Sequence, residues 1–506
     1  MSAPGLDPTF SELPHRRLGD VALARAAELG ASHADFRFER NRYQYLGARD
    51  GVLQTASDAE DVGFAVRVVH DGAWGFASGV VLTDDEARRV AETAVTVAKV
   101  AAAMTTTPVE LAPEPVHDDV TWVSGYDLNP LEVPTRDKGA LLVDWTERLR
   151  AGAAVAHATA FLQQVQENKY YADLSGTRTT QQRVRLQPGF EATGEDAQTG
   201  IFDSMASIAP PVGRGWEYLT GGHWDWDAEL AEVPELLAEK LTAPTVEAGT
   251  YDLVVDPSNL WLTIHESIGH ATELDRALGY EANYAGTSFA TYDKLGTLRY
   301  GSPVMNVRGD RTQEHGLATV GYDDEGVETQ AWDIVRDGVL VGYQLDRSMG
   351  HLKPELNGGR SNGCAYADSP GHIPIQRMAN VSLMPGTDDL GTDDLVSRVE
   401  RGIYVVGDKS WSIDMQRFNF QFTGQRFYKI TDGRLDGMLR DVAYQATTTD
   451  FWGSMEAVGG PDTWVLGGAF NCGKAQPGQV AAVSHGCPSA LFRGVNILNT
   501  MDEAGH

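Results

Sequence analysis

The segment YDLVVDPSNLWLTIHESIGHATELDRAL, residues 251–278, decides the fold of the second half of the chain. It begins with a short apolar run that predicts a buried strand, and a helical pattern follows. Asp256 is a suitable cap for this helix, and Pro257 suits its first position, where a missing amide proton costs nothing. We therefore expect a strand that leads directly into a helix.

The predicted helix carries the order His265-Glu266-x-x-x-His270, one residue longer than the H-E-x-x-H of zinc proteases. On a regular helix, residues i and i+4 lie about 40° apart, whereas residues i and i+5 lie about 140° apart. A π-bulge would restore the alignment, and Gly269 makes such a distortion easier. The spacing predicts a distorted helix that brings both histidines to one metal ion, with Glu266 beside them as general base.

A plainer interpretation is that the histidines are unrelated helix residues and that Glu266 is a solvated charge. A catalytic zinc also needs a third protein ligand and an open fourth position. Glu273 is one candidate, because it follows His270 by three residues and should share its face. Cys472 is the other, in the Gly-rich loop GGAFNCGKAQPGQ beside Lys474, where a thiolate forms more easily. The residues alone leave this choice open.

Other cysteines and histidines offer weaker alternatives. His485 and Cys487, in SHGCPSALFRG, could form a second metal pair or a nucleophile with its base, but no third orienting residue is evident. Cys364, His351 and His372 lie in Gly-rich stretches and are expected to be incidental.

Composition limits the classes of partner. The chain has 506 residues, of which 42% are hydrophobic and 22% charged, which is typical of a globular protein with two or three domains. Lys and Arg number 41 against 71 Asp and Glu, so the net charge is -30. A field of that sign repels phosphate backbones and anionic lipids. We therefore predict neither nucleic-acid nor membrane partners.

The start of the chain, MSAPGLDPTFSELPHRR, lacks a basic segment followed by an apolar run, so we expect no signal peptide. No apolar stretch approaches the roughly 18 residues of a membrane span. The three cysteines are too few and too scattered for a disulfide framework. A cytoplasmic location is predicted.

Periodicity predicts an α+β fold. The first half alternates helices with strands joined by Asp-Gly turns, and the predicted helices begin near Leu18, Thr83, Pro134 and Trp226. Beyond Tyr280, short strands and Gly-containing turns dominate. We predict an N-terminal α+β domain followed by a mostly β C-terminal domain that carries the distorted metal-binding helix. The expected ranges are 1–241 for the first domain, 242–250 for the connector TAPTVEAGT and 251–506 for the second domain.

Several separated motifs add a family resemblance: HESIGHATELD, VGYDDEGVETQ, DGVLVGYQLDR, QRMANVSLMPG, GIYVVG and NCGK, in this order. Together they resemble the catalytic TldD-type member of the TldD/PmbA family of metallopeptidases, over essentially the whole chain. The resemblance implies a zinc peptidase with one zinc ion per chain. Its ligands would be His265, His270 and Cys472, and its base Glu266.

The resemblance also implies a dimer, formed either with a TldE/PmbA-like chain that lacks the motif or with a second copy of this chain. The substrate would be a short or unfolded peptide, hydrolysed in a chamber of the dimer and held at a sheet edge. Arg377 or Tyr343 would steady the oxyanion. The segments CGKAQPGQ, SNGCAYADSPGH and GDKSWSIDMQ depart from the family pattern, which affects the expected substrate preference.

Two alternative functions come from other classes. One is a dedicated metal-dependent maturation or amide-cleaving enzyme of a modified-peptide or natural-product pathway. The other is a non-catalytic partner subunit, against which the intact Glu266 argues.

Overall fold

The structure is a computed structural model that describes residues 5–503. The first four and last three residues lie outside the described residues. The first four belong to the predicted range 1–241, and the prediction of no signal peptide rests partly on them. The last three belong to the predicted range 251–506.

The N-terminal part wraps four long helices and two short ones around one large sheet. Its helices are α1 (Pro8–Ser11), α2 (His15–Glu28), α3 (Asp84–Ala102), α4 (Thr135–Arg150), α5 (Glu217–Thr220) and α6 (Trp226–Thr242). Its strands are β1 (His33–Arg49), β2 (Val52–His70), β3 (Ala73–Gly79), β4 (Val120–Val123), β5 (Val155–Asp173), β6 (Arg178–Asp196) and β7 (Ile201–Ala206). The sheet order is β3-β2-β1-β5-β6-β4, with β7 also paired to β6. Only the β4–β6 pair is parallel within this sheet.

The predicted Asp-Gly turns are present between these strands. Asp50 and Gly51 have φ values of 52° and 82°, and Asp71 and Gly72 have φ values of 51° and 73°. Two successive residues with positive φ form the tight hairpin turn that matches strand twist. The first turn thereby fixes the register of the long β1–β2 hairpin.

The C-terminal part is rich in short strands. Its helices are α7 (Pro257–Ile264), α8 (Leu274–Ala277), α9 (Arg347–Leu352), α10 (Thr392–Ser397), α11 (Thr448–Gly453) and α12 (Thr500–Glu503). Its strands are β8 (Gly249–Val255), β9 (Val307–Asp310), β10 (Ala331–Arg336), β11 (Val339–Leu340), β12 (Ala365–Tyr366), β13 (Ile375–Gln376), β14 (Asn380–Leu383), β15 (Arg401–Ile413), β16 (Asn419–Thr431), β17 (Arg434–Leu439), β18 (Val442–Thr447), β19 (Met455–Val458), β20 (Val465–Lys474), β21 (Gln479–Cys487) and β22 (Ala490–Asn499). Short 3₁₀ turns lie at Pro130–Glu132, His270–Thr272, Tyr292–Lys294, Asn357–Gly359 and Pro461–Thr463.

Strand pairing in the C-terminal part closes a ring. The order β15-β8-β22-β18-β16 returns to β15 through the β15–β16 hairpin, and β17 and β19 extend the sheet. Smaller sheets are formed by β11-β10-β9-β14, by β12-β13 and by β20-β21. β8 is one strand of this ring and leads directly into α7. Its pairing with β15 and β22 therefore fixes where that helix starts.

The hydrophobic cores follow this organisation. The largest cluster draws all its members from residues 246–497. Two others lie on the large sheet, one under α4 and α6 and one under α2 and α3. The predicted α+β class with a β-rich C-terminal part is confirmed, while the domain boundaries at 241 and 251 stay a prediction.

Buried ion pairs join the two parts. Arg67, on β2, contacts Asp35 at 2.7 Å and Glu325 at 2.9 Å. Lys169, on β5, contacts Asp324 at 2.8 Å. These charges are largely shielded from solvent, so each needs its partner to offset the loss of hydration.

Among residues 5–503, no helix has the length and apolar character needed to cross a membrane.

Trp145 offers a test of the N-terminal core. Its ring is 2% exposed and stacks on Trp226 with centroids 4.9 Å apart. We expect Trp145→Ala to lower the free energy of unfolding by about 3–5 kcal/mol, because a large cavity is left. Urea titration measures this change, with Tyr280→Ala, at a position 68% exposed, as the control. A loss below about 1 kcal/mol would show that Trp145 does not support this core.

Candidate metal centre

Helix α7 begins as the sequence predicts. The Asp256 carboxylate accepts a hydrogen bond from the Ser258 amide at 2.9 Å, and Pro257 occupies the first helical position. The preceding strand β8 is held between β15 and β22, so the cap lies at a fixed point of the sheet.

The predicted distortion of this helix is present. Residues His265–Gly269 form one π-helical turn, in which the His270 amide donates to the His265 carbonyl five residues earlier. The two imidazole rings consequently lie 4.8 Å apart between centroids, at 79° to each other. The π turn therefore accommodates the extra residue between the two histidines.

Side chains support the backbone of the π turn. The Ile268 carbonyl accepts from the Thr272 hydroxyl at 2.8 Å, and the Gly269 carbonyl accepts from the Gln344 amide at 2.7 Å. A Cβ atom at Gly269 would lie 2.5 Å from the Met378 sulfur. A larger residue at this position would require the Met378 side chain to move.

Three donor side chains meet beside this turn. Ligand atoms of His265, His270 and Cys472 all lie within 4.8 Å of one another, and all three residues are buried. Cys472 comes from β20, and its sulfur is 3.5 Å from His270 Nε2. The structure thus brings together the two histidines and the cysteine named from the sequence.

A hydrogen-bond chain determines which nitrogen His265 presents. His485 Nδ1 lies 2.8 Å from the Val381 carbonyl, which can only accept, so this nitrogen carries a proton. Burial lowers the pKa of His485 well below its ordinary value, so the ring is neutral and its Nε2 accepts. It accepts from His265 Nδ1 at 2.7 Å, which leaves the lone pair of His265 Nε2 available.

Glu273 orients His270 from behind. Its carboxylate lies 2.9 Å from His270 Nδ1 and 3.1 Å from the Lys474 ammonium. Burial raises the pKa of Glu273, but Lys474, His270 and Arg276 outweigh burial and hold that pKa well below its usual range. The prediction that Glu273 shares a helical face with His270 is wrong, because the helix ends before Glu273, whose dihedral angles are non-helical. Glu273 therefore supports His270 and is not grouped with the three donors.

The sequence suggested that Lys474 favours a thiolate at Cys472, but in the structure Lys474 has other partners. Lys474 instead contacts carboxylates, Asp275 at 2.8 Å among them. Burial raises the pKa of the Cys472 thiol, yet His270 and Arg377 outweigh it, so the net pKa lies below its ordinary value. A thiolate at this position is electrostatically favoured.

The two residues considered for oxyanion binding make other contacts. Arg377 is 1% exposed, and its Nη2 donates to the Cys472 carbonyl at 2.5 Å. Tyr343 is also buried, and its hydroxyl donates to the Ala290 carbonyl at 2.8 Å. In this structure Arg377 holds the cysteine-bearing strand, and Tyr343 packs in the core.

Glu266 faces a cation that sequence analysis missed. Its carboxylate accepts from Arg417 Nη1 at 2.7 Å, and the nearby Trp411 side chain also lowers its pKa. Burial raises the pKa of Glu266, but His265, His270 and Arg417 outweigh burial and lower it overall. Glu266 is accordingly an ionised acceptor.

Arg417 lies in the tight turn between β15 and β16. It has a positive φ of 63°, and the Asp414 carboxylate accepts from the Phe418 amide at 2.8 Å. The Thr448 hydroxyl donates to the Arg417 carbonyl at 2.8 Å. An aspartate after a strand indicates such a turn, but no local signal indicates that its arginine reaches Glu266.

The weaker sequence candidates do not form a second centre. Cys487 faces the Pro257 carbonyl, while His485 lies behind His265. Burial raises the pKa of Cys364 to about 12. His351 and His372 pair with single carboxylates outside the site, Glu110 and Asp368 respectively.

Comparisons with known proteins give a consistent result. The family model described as PmbA/TldA metallopeptidase C-terminal domain matches residues 248–499, and that described as PmbA/TldA metallopeptidase domain 1 matches residues 34–98. A metalloprotease of Methanocaldococcus jannaschii is 25% identical over 451 residues, covering 86% of this chain and 91% of that protein. A zinc metalloprotease TldD homolog of Saccharolobus solfataricus is 24% identical, covering 92% of this chain and 96% of that protein.

Solved structures share the fold. A Thermotoga maritima protein described as a modulator of a DNA gyrase aligns with a TM-score of 0.75 and 15% identity, covering 96% of this chain and all of that chain. TldE from Thermococcus kodakarensis aligns with a TM-score of 0.67 and 16% identity, covering 95% of this chain and 99% of that chain.

The geometry predicts that Cys472 is needed for metal binding. Wild type purified without chelator should contain about one zinc ion per chain, and Cys472→Ala much less, because a structural or catalytic zinc needs at least three protein donors. The affinity of Cys472→Ala for zinc should fall by more than the roughly 10- to 100-fold that removal of a supporting hydrogen bond causes. Elemental analysis measures the bound zinc.

The matched control is Cys364→Ala, which removes another buried free cysteine and should leave the zinc content unchanged. Full zinc content in Cys472→Ala would move the third ligand to Glu273 or to another residue.

Proposed function

The chain belongs to the TldD/PmbA family of metallopeptidases, and on that premise we propose that it hydrolyses peptide bonds of short or unfolded peptides in a zinc-dependent reaction. The clustered donors of His265, His270 and Cys472 beside the carboxylate of Glu266 carry this proposal.

The donor set fits zinc. Both histidines engage Nδ1 in hydrogen bonds and keep Nε2 for a metal, and the thiol of Cys472 has a lowered pKa. Imidazole nitrogen and thiolate are the ligand types that zinc prefers, and three of them leave one position for a reactant. When bound, zinc supplies Lewis acidity, which polarises a carbonyl group and makes water more acidic.

Glu266 would act as the base and then as the acid. Its carboxylate is ionised and 6% exposed, so it can take a proton from an attacking water molecule in a site that largely excludes solvent. It would return this proton to the leaving amine as the carbon–nitrogen bond breaks. Its place next to His265 in the chain keeps it beside the donors throughout.

Arg417 would position Glu266. Its guanidinium donates to one carboxylate oxygen of Glu266 and leaves the other oxygen for water. Because the Arg417 turn is anchored by Asp414 and Thr448, the arginine contributes a fixed charge and little motion. A charge-assisted hydrogen bond of this kind orients a catalytic carboxylate.

Strand β20 offers a place for an extended peptide. Within the described residues it pairs only with β21, so its opposite edge has no strand partner. A peptide added along this edge would use main-chain hydrogen bonds and pass Cys472, which belongs to the same strand. This supports a preference for short or unfolded chains over folded proteins.

We extend the proposal to assembly and location. A dimer, either with a TldE/PmbA-like chain or with a second copy, would enclose the centre in a chamber; TldE of Thermococcus kodakarensis shares the fold. A cytoplasmic location is supported by three buried free cysteines.

Replacing Glu266 with glutamine tests the proposed chemistry. Glu266→Gln should lower kcat by roughly 10²- to 10⁴-fold, because general acid–base catalysis is lost. The zinc content should not change, since the residue is not a ligand. Cleavage of casein fragments, followed by mass spectrometry, measures the activity.

Glu235→Gln, at an exposed position of α6, is the control and should retain full activity. A Glu266→Gln chain with wild-type kcat would eliminate the proposed base.

Arg417 is tested as a positioning residue. Arg417→Gln should lower kcat by about 10- to 100-fold with KM nearly unchanged, since a hydrogen bond to a charged group is lost. Arg417→Lys should recover part of kcat, because it restores the charge. Equal losses in both variants, or a change in KM alone, would contradict a role in holding Glu266.

A further inference from the structure

A groove of about 440 Å³ opens beside the metal centre. One wall comes from the N-terminal part, through β5, β6 and the segment after β7, and the other from α7, β15 and β20. Its volume lies in the range of pockets that enclose small ligands or a side chain. Its most prominent lining side chains are Phe161, Pro188, Phe190, Trp261, Trp411 and Phe470.

Two glycines make room for the aromatic walls. Phe161 on β5 lies opposite Gly189 on β6, where a Cβ atom would be 2.6 Å from the phenyl ring. Gly467 on β20 lies against Trp261, where a Cβ atom would be 2.7 Å from that side chain. Both glycines therefore leave space that the neighbouring aromatic side chains occupy.

Several lining residues of the groove lie close to the candidate metal centre. The Trp261 ring is 6.4 Å from the rings of His265 and His485, between centroids. Trp411 lies near Glu266, whose pKa it helps to lower, and it remains 52% exposed. Phe470 precedes the donor Cys472 by two positions on β20.

Charged groups in the groove are few and already paired. Asp408 accepts from the Trp261 indole nitrogen at 3.2 Å, and Lys409 contacts Asp203 at 2.6 Å. These are the two charged side chains of the lining, and they have opposite signs. The lining thus combines aromatic and apolar side chains with a few neutral polar ones, and it carries little net charge.

We propose that this groove binds one bulky apolar side chain of the peptide, above all an aromatic one, next to the bond that is cut. This inference rests on the proposed peptidase function and names its substrate class. An aromatic ring would pack between Phe161 and the two tryptophans in the offset or edge-on arrangements that such rings favour. A peptide on the free edge of β20 sends alternate side chains to one face, so one of them can enter the groove.

Binding of small amides tests the groove apart from catalysis. N-acetylphenylalaninamide, N-acetylalaninamide and N-acetylargininamide are titrated into the Glu266→Gln chain by calorimetry, so that turnover cannot interfere. We expect the phenylalanine amide to bind about 10- to 100-fold more tightly than the alanine amide, because its ring leaves water. Equal affinities, no saturable binding, or tightest binding of the arginine amide would overturn the proposal.

Phe161→Ala should reduce the preference for phenylalanine over alanine to about 3-fold or less, because one wall is lost. Phe202→Ala is the matched control, since Phe202 on β7 is 68% exposed and does not line the groove. If Phe161→Ala does not fold, the ratio of the affinities for the phenylalanine and alanine amides in the Glu266→Gln chain still tests the proposal.

Failure of the two proposals can be told apart. Selective binding of the phenylalanine amide by a wild-type chain that cleaves no peptide would reject the peptidase function and leave the aromatic subsite. Cleavage with equal kcat/KM for peptides that differ only in Phe or Ala on either side of the cut bond would reject the subsite and leave the peptidase.

Discussion

The π turn at His265–Gly269 is the constraint on which the rest of the centre depends. A regular helix would point the two imidazoles about 140° apart, and no single ion could contact both. The turn corrects this; it places Gly269 against Met378 and is supported by hydrogen bonds from Thr272 and Gln344. These side chains come from different elements, so the surrounding fold stabilises the distortion that metal binding requires.

Electrostatics around the turn follow one arrangement. The donor cluster consists of two imidazoles and one thiol of lowered pKa, and charged side chains surround it. There, Glu273 faces Lys474, and Glu266 faces Arg417. Buried carboxylates without cations would be costly, and with cations they stay ionised. Glu273 thus orients His270 from behind, while Glu266 stays ionised beside the donors.

The sequence could predict those features that depend on neighbouring residues. The cap at Asp256, the Asp-Gly turns and the π turn all follow from local spacing and the conformational properties of Gly, Pro and Asp. His485 and Arg417 could not be predicted, because they meet His265 and Glu266 across 220 and 151 positions of the chain. Glu273 was misplaced for a local reason, since the helix ends before it and the expected common face does not exist.

The relation between the two parts of the chain also bears on specificity. One wall of the aromatic groove stands on β5 and β6, while the metal donors stand on α7, the π turn and β20. The distance between these walls depends on contacts such as Arg67 with Glu325 and Lys169 with Asp324. Breaking such a pair would leave an uncompensated buried charge, so these contacts help to hold the two parts together. In the proposed function, the large N-terminal sheet would shape the groove, while the C-terminal part would supply the chemistry.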